Sequence, residues 1–132
     1  MEQREFLFRA LDALEQASIP YAITGSWAST AYGMPRTTHD IDFWPLKDDA
    51  YSREQFARRR QVEVFGRKVW MLAPEDIILA KLLWYKMSES ETQMRDMVGV
   101  WKAQRETLDL NYLRAWASRL SVANLLSKVT SS

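Results

Sequence analysis

Apolar residues near the start of the chain fall at Leu7, Leu11 and Leu14, the i, i+4, i+7 spacing of one helix face, with Ala10 and Ala17 extending it. This predicts a helix over 4–17. Ser18-Ile19-Pro20 ends it, because proline disfavours helix at the residue before it. Residues 21–24 are a short, mostly apolar run that suits a buried strand. Gly25-Ser26 turns the chain, 27–32 predicts a short helix, and Gly33-Met34-Pro35 breaks it. A second strand is predicted over 40–44, closed by Pro45.

The polar stretch 46–50 reads as a turn. Residues 52–60 predict a helix with Ser52 as N-cap. Two alternating segments, 61–65 and 68–72, predict a hairpin turning at Gly66-Arg67. Ala73-Pro74-Glu75-Asp76 is a helix start, with proline at the first position and two acids in the first turn. The helix that follows, IILAKLLWYKM, is apolar nearly all round, which predicts a central buried helix with Lys81 as its conspicuous charge. Helices are also predicted over 92–104, 108–120 and 122–129. The order is helix, small mixed sheet, helical C-terminal part. The expected fold class is therefore α+β, a small mixed β-sheet with flanking helices. One domain is expected over 1–132, made of an α/β core (1–72) and a helical part (73–132).

Composition narrows the chemistry. The 132 residues are 47% hydrophobic, enough for one domain with a real core. Eighteen basic residues face 17 acidic ones, so global charge makes no case for nucleic acid or a membrane surface. There is no cysteine and one histidine, His39, which excludes thiolate catalysis, disulfides and Cys- or His-rich metal sites. The amphipathic, charged N-terminus is unlike a signal peptide, and no apolar run approaches the length of a membrane span. A cytoplasmic protein is the expectation. Six tryptophans are spread along the chain and read first as core, with Trp27 and Trp44 as the alternatives for base stacking. The run Arg58-Arg59-Arg60 reads as a solvated helix end near its negative dipole or, alternatively, a phosphate or RNA contact.

The suggestive chemistry lies in residues 21–44. Asp40 and Asp42 at i and i+2 of a strand share one face, roughly 6–7 Å apart. Two such carboxylates repel unless a cation lies between them. Hard Mg²⁺ takes one or two protein carboxylates together with phosphate oxygens. The plainer alternative is two acids on the solvent face of an edge strand. Upstream, Gly25 allows close backbone approach, and Ser26 with the N–H groups of a helix start suits a phosphate. Here the plainer alternative is a glycine turn with a serine cap.

The stretch GSWASTAYGMPRTTHDID resembles the signature of the DNA polymerase β-type nucleotidyltransferases, and is most similar to the small prokaryotic minimal and AbiEii-like members. In that family a G-S turn precedes G-x-x-R-x-T-x-D-I-D, which Gly25, Ser26, Gly33, Arg36, Thr38, Asp40, Ile41 and Asp42 match. VEVFGRKVWMLAPEDIILAKLLWYK resembles the family's hairpin and its P-E-D-x-I-x-x-K helix. The resemblance implies that Gly25 and Ser26 hold a triphosphate, that Asp40 and Asp42 are catalytic and hold Mg²⁺, and that Arg36, Thr38 and Lys81 lie on the nucleotide side. A structural salt bridge for Arg36 and a paired lysine for Lys81 stand beside those roles.

The same resemblance implies an enzyme that moves a nucleoside monophosphate from an NTP to a protein or RNA hydroxyl, in a toxin–antitoxin or abortive-infection setting. Its partner would be an antitoxin protein, and the chain would be a monomer or homodimer. One departure matters. Active members carry a third carboxylate on a further strand, and here DID runs directly into FWPLKDDAYSREQ, as after an internal deletion. Asp48 and Asp49 are the available substitutes. Without one, the alternative is a silent relative that binds nucleotide or a partner.

Overall fold

The computed structural model describes residues 3–32, 42–45 and 49–131. Among them are seven helices and four strands: α1 (Gln3–Gln16), β1 (Tyr21–Thr24), α2 (Gly25–Tyr32), β2 (Asp42–Pro45), α3 (Ala50–Ala57), β3 (Arg60–Val64), β4 (Arg67–Met71), α4 (Pro74–Ser88), α5 (Glu91–Gln104), α6 (Leu110–Arg119) and α7 (Ala123–Thr130). The α+β class is therefore as expected.

The strands form one mixed sheet in the order β2-β1-β4-β3. β1 is antiparallel to β2 and parallel to β4, while β3 and β4 form an antiparallel hairpin. All four residues of β1 are buried, as its apolar run predicts for an interior strand. Since β1 and β4 are parallel, their carboxyl ends share one edge of the sheet. β2, running the other way, begins at that edge. Helices α2 and α4 both start there, directly after β1 and β4.

The core runs from Leu7 on α1 to Val129 on α7 as one cluster. α4 is its axis: Ile77, Ile78, Leu79 and Leu82 are at most 1% exposed. Burial of each such side chain stabilises the fold by about 1.5–3 kcal/mol. The helix is not buried throughout, because Trp84 and Met87 at its far end are 56% and 78% exposed. For Trp84 the core reading of the tryptophans is thus overturned, while Trp27, Trp70, Trp101 and Trp116 do belong to or pack against the core.

Several boundaries move for local reasons. Helix α1 ends in a Schellman motif rather than through the proline alone. Ser18 is left-handed at φ 55°, the Ile19 N–H donates to the Leu14 carbonyl and the Ser18 N–H to that of Glu15. Ser121 at φ 61° closes α6 the same way, with the Val122 N–H donating to the Ala117 carbonyl. The N-cap of α3 is Asp49, not Ser52; its carboxylate accepts from both the Ser52 N–H (2.8 Å) and the Ser52 hydroxyl (2.9 Å). The hairpin turns at Phe65-Gly66, not Gly66-Arg67. Val64 pairs with Arg67, and both central residues have positive φ (52° and 77°), as a type I′ turn requires.

Candidate functional site

Gly25 is at φ 78°, a conformation that favours glycine, and it lets the chain pass from β1 into α2 without an intervening loop. In the β1–β2 ladder Thr24 pairs with Asp42. Gly25 and Ser26, the first residues of α2, directly follow Thr24, so they and Asp42 stand at the same edge of the sheet. That edge lies outside the carboxyl ends of β1 and β4, where open α/β sheets commonly take their ligands. Asp40, Arg36 and Thr38, which complete the predicted site, lie outside the described residues, as do His39 and Asp48. Among the described residues no group of three or more His, Cys, Asp or Glu side chains is arranged to hold a metal ion.

Lys81 is placed away from bulk solvent. Its ammonium donates to Gln93 Oε1 (2.8 Å) and Asp96 Oδ2 (3.1 Å), and both members of the ion pair are about 95% buried. The paired reading of Lys81 is the one these contacts support; the pair fastens α4 to α5. Asp49, one of the substitutes for a third carboxylate, has both oxygens committed to Ser52.

A second polar assembly at the start of α4 has no counterpart in the sequence reading. Glu75 and Asp76 are fully buried. The Arg58 guanidinium lies 3.3 Å from Glu75, 4.0 Å from Asp76 and 3.9 Å from Asp109, stacked 3.8 Å above the Tyr112 ring. Tyr112 donates its hydroxyl proton to Asp76 Oδ1 at 2.5 Å, and the Asp109 N–H donates to Glu75 Oε2 at 2.8 Å. Arg60 approaches Glu75 at 3.8 Å. Helices α3, α4 and α6 are thus joined by one network. Burial pushes the Asp76 carboxyl up to about 7, against the lowering effect of the Tyr112 hydrogen bond and Arg58. Burial also raises the Tyr112 and Tyr51 hydroxyls.

The solvated reading of Arg58-Arg59-Arg60 is corrected for Arg58 and Arg59, which are half-buried, while Arg60 stays exposed. Arg58 and Arg60 serve the α4 acids, and Arg59 lies 4.1 Å from the Phe56 ring and 4.3 Å from the Trp70 ring. A signal was present in the sequence: three arginines upstream, and two acids opening an otherwise apolar helix. Which arginine met which acid required the third dimension.

No protein-family model matches the chain, and no curated protein matches it. No helix among the described residues is long and apolar enough to cross a membrane.

Proposed function

We propose that the chain is a shortened polymerase β-type nucleotidyltransferase that transfers a nucleoside monophosphate from an NTP to a protein or RNA hydroxyl. The observation that carries this reading is the Thr24–Asp42 register, because it puts the glycine-serine turn beside the second aspartate of the D-x-D motif. The two halves of the resemblance lie far apart in mechanism, one for phosphate and one for metal, and a nucleotide site needs them adjacent.

In this reading the α2 N-terminus and Ser26 bind the triphosphate, and Gly25 leaves room for the backbone to approach it. Arg36 and Thr38 contact phosphate. Asp40 and Asp42 are hard oxygen donors that fit Mg²⁺, which when bound neutralises phosphate charge and acidifies an acceptor hydroxyl. The partner would be an antitoxin of a two-gene defence module.

The test is transfer of label from α-³²P NTPs in Mg²⁺ onto RNA and protein acceptors. Wild type is expected to label an acceptor, and Asp40→Ala or Asp42→Ala to lower the rate by about 100-fold or more. Label that survives Asp40→Ala would count against the D-x-D pair as the site, and no label with any of the four NTPs would count against transfer.

The capping role of Asp49 favours a second reading, in which the third carboxylate is absent and the domain binds nucleotide without turning it over. Calorimetric titration with Mg-NTP separates the two: binding without label transfer supports the silent form, and robust turnover eliminates it.

A further inference from the structure

At the opposite end of the sheet from Asp42, where β1 begins and Tyr21 pairs with Pro45, a cleft of about 360 Å³ opens between the α1 C-terminus and β3–β4. Tyr21, Trp70 and Ile19 give it an aromatic and apolar wall, and Arg59, Lys68 and Gln61 give it donors. Its size is within the range of small-molecule sites.

The surroundings of Arg59 are the informative feature. Its Nη1 donates to the Phe56 carbonyl at 3.0 Å and its guanidinium lies against two aromatic rings, yet no carboxylate pairs with it among the described residues. Its Nε is buried without a hydrogen-bond partner. A part-buried cation whose Nε is shielded from water without a partner is stabilised by an anion. Lys68 adds a second positive charge on the same wall. Two acids are near. Glu15 is held by Arg67 at 3.2 Å, and Glu63 stands opposite Lys68 in the hairpin. The Schellman motif occupies the Leu14 and Glu15 carbonyls, and the negative end of α1 is offset by Arg59 and Lys68.

We propose that this cleft is a second ligand site, separate from the candidate nucleotide site, that takes a small aromatic phosphate such as a nucleoside monophosphate. The phosphate meets Arg59 and Lys68, and the ring lies along the Tyr21–Trp70–Ile19 wall. The site holds without metal.

Calorimetry with AMP in EDTA tests this on the full chain. Binding is expected, with adenosine and inorganic phosphate each at least about tenfold weaker, since each lacks one half of the recognition. Lys68→Gln alters an exposed side chain and is expected to weaken AMP by about fivefold without loss of thermal stability. Arg59→Lys keeps the charge but loses the planar fork, and a further loss of affinity is expected. Asp40→Ala/Asp42→Ala is expected to leave AMP binding in EDTA unchanged. No binding at millimolar AMP, adenosine binding as tightly as AMP, or affinity lost in the aspartate variant but kept in Lys68→Gln would each overturn the proposal. None of these outcomes depends on whether label transfer occurs.

Discussion

Asp76 illustrates how burial sets the behaviour of a single residue. Arg58 and Tyr112 face it and favour its ionised form, while Glu75 and Glu54 repel that form, and desolvation outweighs the rest. An acid whose pKa is higher in the folded state binds more protons there than in the unfolded chain. Its protonation therefore favours folding, and stability falls as pH rises from the ordinary value of 3.8 towards about 7. The size of this effect is on the order of 4 kcal/mol at most. Urea unfolding at pH 5 and pH 8 checks it. The wild type is expected to be more stable at pH 5 with respect to this group. Asp76→Asn still offers an oxygen to Tyr112, and it is expected to flatten that difference. An Asn variant with the same pH slope would show that another group is responsible.

The ends of the elements carry a recurrent feature. Ser18, Phe65, Glu89 and Ser121 all have positive φ without being glycine. Three of them close helices and one opens the hairpin turn. A side chain at such a position costs about 1 kcal/mol relative to glycine or asparagine. Ser18→Gly and Ser121→Gly are each expected to stabilise the fold by about 0.5–1 kcal/mol, read as a rise in Tm. Phe65→Asn is expected to do the same, because Asn-Gly is the preferred type I′ pair and Phe65 is 52% exposed. A fall in Tm for Phe65→Asn would mean that the ring makes a stabilising contact at the hairpin tip.

Across the whole molecule α4 links the layers. Its first turn is tied to α3 and α6 through Arg58, its middle to α5 through Lys81, and its apolar face fills the core. Replacing one member of a buried ion pair leaves the other uncompensated, at a cost of about 3–5 kcal/mol. Lys81→Met is expected to destabilise by that order, and Lys81→Met/Asp96→Leu to recover most of the loss. If Lys81 instead serves a nucleotide, the double variant recovers stability but still lowers Mg-NTP affinity, so calorimetry on the same protein separates the two roles.

Much of this was legible in the sequence, wherever one rule acted on neighbouring residues. The Leu7–Leu11 face, the mostly apolar run of β1 and the Pro74 helix start each follow from local spacing or local backbone chemistry, and each is found where the pattern placed it. The types of residue at the candidate site, Gly25-Ser26 and Asp40 with Asp42, were equally plain. Their partners in space were not. The sheet order, the pairing of Thr24 with Asp42 and the meeting of Arg58 with the buried Glu75 and Asp76 depend on residues up to tens of positions apart. The reason is physical: local rules fix dihedral angles and periodicity, while charge pairing and desolvation are decided only when separate elements close against one another and exclude water. The sequence by itself determined the elements and the chemical vocabulary of this protein; the tertiary structure decided which charges are buried, which are paired and which edge of the sheet the motif occupies.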